Sequence, residues 1–440
     1  MTRRRPTPRP STIDRIPAMT STLTRPQLHA WRNAIFAIFA LSGLSIASWV
    51  ARIPSIRDSL GVDTAQIGAL IFAMSAGAVL GLILSPPLIN RIGARAGIVV
   101  TLVAAAIGLA IVGLGATVIV SPAVVAIGLF LFGLGNGCVD VIQNVEGAAA
   151  ERAIGKTLLP LMHAFFSFGT VAGAALGALA SFLEIDVAVH LAVISVLVVV
   201  SALIAIRFVP EGAEAESDES ARAEAGNAAS ADPKPSVGQR MRESLAVWKD
   251  PRLIAIGLIV LGMAFAEGSS NDWLALAMVD GHGQDNTVGA LVFGVFTVAM
   301  TVGRVVGGPL LDRFGRVPVL RAGAALTVIG LLAFIFAPVF WLAVVGAILW
   351  GLGCSLGFPV GMSAAADADN PKLSAARVSM VAIIGYAAFL VGPPVLGVLG
   401  HAFGILNALL VVLVLVVVAG LASPAARERM RRPAVPAARE

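Results

Sequence analysis

The sequence predicts an all-α membrane protein with twelve transmembrane helices in two six-helix, pseudo-symmetric bundles. Three observations lead there. Apolar residues make up 58% of the 440 and charged residues only 13%, about half the share of a soluble domain, so the chain lacks the polar surface to stay in water. The apolar residues also gather into runs long enough for helices that cross about 30 Å of hydrocarbon. Finally, short segments of the first half recur, in order, in the second.

Irregular backbone cannot face lipid, so each run is read as a helix. The spans fall near 30–51, 64–86, 97–118, 122–145, 160–182 and 187–209, then near 252–278, 287–310, 318–337, 339–362, 376–398 and 402–421. Ser121-Pro122 and Pro338 separate spans that almost abut. Residues 29–209 and 251–422 thus form two bundles. Between them, 210–250 contains "EGAEAESDESARAEAGNAASADPKPS", which is too polar to bury a core and reads as a largely disordered linker. Its later part, "VGQRMRESLAVWKD", fits a short amphipathic helix on the membrane surface. Residues 1–28 read as a disordered tail rather than a targeting signal, and 423–440 as a basic tail.

Arginine gives the orientation. With the N-terminus inside, the cytoplasmic segments hold Arg3 to Arg32, Arg91, Arg95, Arg152, Lys156, Arg313, Arg316, Arg321, Lys372, Arg377 and Arg427 to Arg439. The outer side holds only Arg52 and Arg57. Both termini are therefore expected in the cytoplasm. Scarce lysine beside abundant arginine points to a GC-rich bacterium, hence to the bacterial inner membrane. The net charge of +5 sits in loops and tails, so it argues for topology and not for nucleic acid. Cys138 and Cys354 lie inside apolar runs and supply neither a disulfide framework nor a metal cluster. No cofactor is expected.

The repeat is explicit. "GALIF" at Gly68–Phe72 recurs as "GALVF" at Gly289–Phe293, "NRIG" at Asn90–Gly93 as "DRFG" at Asp312–Gly315, and Gly133–Gly135 as Gly351–Gly353. Halves related by an axis along the membrane normal define one major transporter architecture. "GPLLDRFGR" (Gly308–Arg316) resembles the loop motif of the major facilitator superfamily, glycine followed by Asp-Arg-x-Gly-Arg. That resemblance implies its fold over roughly 30–421. It also implies a gating role for Gly308, Asp312, Arg313, Gly315 and Arg316, with Asp312 pairing with basic groups at neighbouring helix ends. The first-half copy keeps Arg91 and Gly93 but has Asn90 where the acid belongs. "NVEGAAAER", "LMHAFFSFGT" and "AEGSSNDWLALAM" are similar to the branch named for a rhizopine-transport protein (MosC-like). Drug–proton antiporters of the superfamily carry a Gly-Pro motif in span five, and many proton-coupled members have an arginine in span four. This chain has neither.

Ionisable groups at membrane depth mark function or a specific partner. In span seven, Glu267 lies about 22 Å from the cytoplasmic entry at 1.5 Å per residue. Asn271 shares its face, Asp272 points elsewhere near the outer interface, and Gly268-Ser269-Ser270 invite a local break in the helix. Glu267 reads as a proton or cation carrier and Asn271 as a solute partner. The alternative for Glu267 is a structural acid paired with a neighbouring helix. Arg304 faces inward or snorkels to the headgroups. In span four, Asn136, Asp140 and Asn144 recur at i, i+4, i+8, lining either an aqueous cavity or a polar seam. Asp140 is the second proton candidate. His163 is either titratable or a packing residue, and Tyr386 reads as packing. Arg52 is expected to meet Asp272 or Glu267 when the outer mouth closes, or else to face solvent. Gly169, Gly173 and Gly177 at four-residue spacing allow close helix approach.

These residues point to a secondary active transporter of a small hydrophilic solute working by alternating access, and the resemblance implies a monomer. Protons or another ion would drive it, since no phosphate-binding loop appears. Export of amphipathic compounds and a non-transporting solute sensor are the alternatives. No nucleophile–base pair marks an enzyme.

Overall fold

The computed structural model describes residues 23–156, 158–210, 247–367 and 371–428. The first half comprises α1 (Arg25–Val50), a short α2 (Ile53–Leu60), α3 (Thr64–Gly113), α4 (Pro122–Ile154), α5 (Leu159–Phe182) and α6 (Val187–Ala205). The second comprises α7 (Pro251–His282), α8 (Asn286–Phe314), α9 (Arg316–Ile335), α10 (Phe340–Cys354), α11 (Gly357–Ala366), α12 (Pro371–Phe403) and α13 (Ile405–Ala422). Among the described residues, eleven helices are long and apolar enough to cross a membrane, one of them being the 55-residue stretch Thr64–Val118. That stretch holds spans two and three, joined at Gly93, where φ is 74° and ψ 163°. Twelve crossings result, as expected, and no strand occurs among the described residues.

Local chemistry sets the helix starts. Asp63, Asp186, Asp250 and Asp285 each accept a backbone N–H of the first turn of α3, α6, α7 and α8, at 2.7–2.9 Å. Such caps satisfy donors that the helix cannot satisfy itself. The two loop-motif glycines end their helices alike: Gly315 has φ 75° and ψ 170°. Only glycine takes this backbone without strain. A Cβ there would touch nothing, so the constraint is conformational and not the steric obstruction of a tight turn.

Lipid replaces water as the outer solvent. On α6, Val193, Val196, Val200 and Leu203 are exposed, while Leu191, Ile194, Val198 and Ala202 are buried on the opposite face. A helix apolar on both faces is stable only where its outer side meets hydrocarbon. Inside each half the backbones approach closely. A Cβ on Gly169 would stand 2.0 Å from the Ala40 carbonyl oxygen, and one on Gly173 2.5 Å from that of Leu44, so α5 lies directly on α1.

Several expectations need correction. α1 starts at Arg25, inside the expected N-terminal tail, and α4 runs on to Ile154. α7 is unbroken through Gly268-Ser269-Ser270. There the Ser269 hydroxyl donates to the Phe265 carbonyl (2.5 Å) and Ser270 to that of Glu267 (2.7 Å). Serines that bond back to their own helix need no break. The interrupted span is instead the tenth, between Cys354 and Gly357. The tail expected from 423 begins with a docked turn, Ser423–Ala426, whose Ala425 carbonyl accepts from Arg252 Nε at 2.8 Å. Residues 1–22, 211–246 and 429–440, with most of the expected linker, surface helix and tails, lie outside the described residues.

Asp250, just before α7, accepts from Arg377 Nη1 of α12 at 2.5 Å. Burial pushes its pKa up, but Arg377 and the N–H groups of Leu253 and Arg252 outweigh that and hold it below the usual carboxylate value. A depressed folded pKa contributes stability that is complete above the unfolded value, about 3.9, and lost as pH falls through the folded one. The melting temperature of the purified protein is therefore expected to fall below about pH 4, with a smaller fall in Asp250→Asn. An unchanged acid profile in that variant would contradict the assignment. Gly169→Val should cost more than the about 1–3 kcal/mol typical of overpacking, seen as lost monodisperse protein, whereas Gly308→Ala, where a Cβ meets nothing, should melt like the parent.

Candidate functional site

Between the halves lies a cavity of about 250 Å³. α4 contributes Asn136 and Asp140, α7 contributes Gly268, Asn271 and Asp272, and α12 contributes Tyr386, Phe389 and Leu390. Ser75 adds a hydroxyl, and Ile46, Val50, Met74 and Leu82 are among the residues that make the rest of the wall apolar. Asp140 is exposed into this space rather than to lipid. Its carboxylate receives Gln143 Nε2 at 3.3 Å and, weakly, Asn144 Nδ2 at 3.4 Å, while Asn144 donates chiefly to the Asp140 carbonyl at 2.7 Å. Asn144 thus braces Asp140 and does not line the cavity. The polar stripe of α4 faces the interior.

Span seven differs from its expected geometry. Asp272 does not point away toward the interface: it lines the cavity at 9% exposure and has no hydrogen-bond donor among the described residues. Gly268, Asn271 and Asp272 stand at i, i+3 and i+4, one helix face. Glu267 is turned toward α8, where its Oε1 lies 2.6 Å from Arg304 Nη2. The expected structural partner of Glu267 is therefore present, and Arg304 faces inward. His163 is exposed on α5, lies edge-on to Phe39 at 5.2 Å and is within electrostatic reach of both Asp140 and Arg304. Asp140, His163, Arg304 and Glu267 thus form a discontinuous polar row from one half to the other.

The polar contacts between the halves, among the described residues, gather at one end, opposite the Arg252–Ala425 end. Arg57 of α2 pairs with Asp280 of α7 and with Asp58 at 2.6 Å. Asn286 Nδ2 donates to Asp58 at 3.0 Å, and His401 Nδ1 lies 3.5 Å from Asp63 Oδ2. Burial works against the charge of Arg57, but Asp280 and Asp58 outweigh it and raise its pKa. Close packing joins in: a Cβ on Gly68 would stand 2.9 Å from the Pro393 carbonyl oxygen, and one on Gly397 2.8 Å from that of Thr64. The expected contact of Arg52 with Asp272 or Glu267 is not made. Arg52 is buried within its own half, donating to Ser181 Oγ at 3.1 Å and the Ile185 carbonyl at 2.7 Å. Its short reach from the end of α1 is consumed by the α5–α6 turn, and Arg57, one turn further on, crosses instead.

At the opposite end, Asn90 and Arg91 are exposed beside Gly93, and Asp312 and Arg313 are exposed beside Gly308. Asp312 makes no ion pair among the described residues. The motif's partner-forming residue here is Arg316, which pairs with Asp367 and donates to Ser363 Oγ at 3.0 Å, both within its own half. Reading the sequence missed Arg57–Asp280, Asp63–His401 and the aromatic wall of Tyr386 and Phe389. Arg57 was visible as an outer arginine, but its partner lies 223 positions away.

A multi-pass bundle of two similar halves around an internal cavity that holds a few polar groups is the architecture of a membrane transporter. The model of the Major Facilitator Superfamily matches residues 1–153, 35–277 and 268–439, and the chain belongs to that family. It is 27% identical over 359 residues to an uncharacterised MFS-type transporter of Yersinia pestis, covering 82% of this chain and 86% of that one. It is 25% identical over 415 residues to the membrane protein MosC of Rhizobium meliloti, covering 94% of each. Among solved structures, a bacterial homologue of the lysosomal transporter spinster aligns with a TM-score of 0.67 at 16% identity, over 93% of this chain and all of that one. The protein is a non-enzymatic transporter of the major facilitator fold.

If the Arg57–Asp280 contact holds this end shut, Arg57→Ala should raise labelling of a cysteine placed at Asn271, read with an impermeant thiol reagent outside the cell in a Cys138→Ser, Cys354→Ser background. A rise of up to about fivefold is expected, the span of an exposed pair worth up to about 1 kcal/mol. Unchanged labelling would remove the contact from the gate.

Proposed function

We propose that the protein is a secondary active transporter that moves a small solute across a bacterial inner membrane by alternating access, with both termini in the cytoplasm. One observation carries the reading. Polar groups from both halves share one cavity, while the polar contacts between the halves gather at one end. The arginine distribution makes that end the outer one, so the state described is inward-facing. Rocking of the halves would break the outer contacts and close the cytoplasmic end, where the exposed loop motifs stand.

Proton coupling is assigned to Glu267. Its ion pair with Arg304 fixes α7 against α8 while the carboxylate is charged. Protonation removes that attraction and frees a cation next to the cavity, so the two protonation states favour different helix arrangements. A ligand or proton shifts such an equilibrium only by its differential affinity for the two states. Asp140 is the second protonation site of this reading. Export of an amphipathic compound is a second reading, favoured by the mainly apolar cavity wall.

Flux into proteoliposomes against a solute panel, with and without a pH gradient, tests the assignment. Glu267→Gln is expected to lose at least about tenfold of gradient-driven accumulation while retaining exchange of solute for solute. Full gradient-driven uptake by Glu267→Gln would remove the proton assignment, and absence of flux for every solute would count against transport.

A further inference from the structure

The cavity holds two acids that the coupling pair does not explain. Glu267 and Arg304 neutralise each other. Among the described residues Asp140 has only amide donors, Gln143 and Asn144, with His163 in electrostatic reach. Asp272 is more than nine-tenths buried, faces the cavity and has no donor among the described residues. Among the described residues, no lysine or arginine lines this cavity. Two carboxylates thus face one small space, one on α4 of the first half and one on α7 of the second. An acid in a poorly solvated site is either protonated or paired with a cation, and a cation between the two acids is the occupant that pairs both.

The remaining wall narrows the class. Tyr386 and Phe389, one helical turn apart on α12, present aromatic rings to the same space, and ring faces attract ammonium groups. Ile46, Val50, Met74 and Leu82 offer hydrocarbon and no hydrogen bonds. Besides the two acids, only Ser75, Asn136, Asn271 and the Tyr386 hydroxyl in this wall can hydrogen-bond, so a solute with hydroxyls on every face would leave those against the hydrocarbon unpaired. A metal cation is disfavoured too, because the hard oxygen ligands are few and lie on opposite halves.

We propose that the cavity binds a small organic amine cation with an apolar face, its ammonium held between Asp140 and Asp272 and its hydrocarbon packed on Tyr386 and Phe389. This rests on the transporter reading and names its substrate class. It also assigns Asp272, which the coupling pair does not use, to solute recognition. Because the two acids belong to different halves, the bound cation attracts both. It is thereby a link between the halves that an empty cavity lacks.

The test uses the full chain in lipid nanodiscs and three probes of one shape: phenethylamine, 2-phenylethanol and phenylacetate. Calorimetric titration at neutral pH is expected to give the amine at least about tenfold tighter binding than the alcohol, with the carboxylate weakest. Asp140→Asn and Asp272→Asn should each weaken the amine about tenfold or more and leave the alcohol unchanged. Equal binding of amine and alcohol, which two protonated acids would give, overturns the proposal, as does binding of none of the three. The wild-type comparison decides even if a variant fails to fold. Amine binding that never becomes flux in proteoliposomes would keep the amine class and remove the transport reading. Flux of neutral solutes with no preference for amines would do the reverse.

Discussion

Hydrocarbon does not solvate charge, and this constraint organises the molecule. An ionisable side chain at membrane depth must meet a partner, a wet space or a large cost. The chain uses the first two options in different places. Glu267 meets Arg304 across the α7–α8 contact, whereas Asp140 and Asp272 meet the cavity. With other buried polar groups, such as Glu146 accepting from Trp31 Nε1 at 3.0 Å, these acids help fix how each helix is rotated. α4 must turn its Asn136–Asp140 stripe inward, and α7 must turn the Gly268–Asn271–Asp272 face the same way.

The same constraint shapes the closed end. Its seal is made of contacts that are individually weak: an arginine between two exposed-side aspartates, an amide on a carboxylate and a distant histidine. Exposed ion pairs contribute about 0–1 kcal/mol each. Behind them, Gly68 and Gly397 allow α3 and α12 to cross with almost no side chain between. Small residues give shape complementarity without deep interdigitation, so parting them exposes little new surface. A strong lock would trap one state, while a weak one leaves two arrangements within reach of a ligand's binding energy.

Much of this was legible in the sequence. Hydropathy gave the crossings, and the DRFG and NRIG pair gave the repeat, because a glycine with positive φ must recur wherever the two halves turn alike. The face of α4 followed from four-residue spacing. The misses have specific causes. Helical geometry puts Asp272 140° around from Glu267, yet Asn271 lies between them, and which of its neighbours faces the cavity depends on where α8 packs. Arg304 decided that by claiming Glu267. The contact between the halves expected of Arg52 is made by Arg57 because α2, a two-turn helix with Pro54 in its first turn, carries the second arginine to the other half. The serines of α7 suggested a break, but their hydroxyls found carbonyls of their own helix. Pairings between residues hundreds of positions apart leave no local signal.

The central claim is that the two ends of the bundle open in alternation around the shared cavity. Spin labels report it directly: one pair at Ser59 and Gln284, flanking the Arg57–Asp280 contact, and one at Ile92 and Phe314, beside the two loop motifs, with distances measured by pulsed electron resonance in nanodiscs across pH. The account predicts opposite changes, the first distance lengthening as the second shortens. Two distances that stay fixed, or that lengthen together, would contradict it.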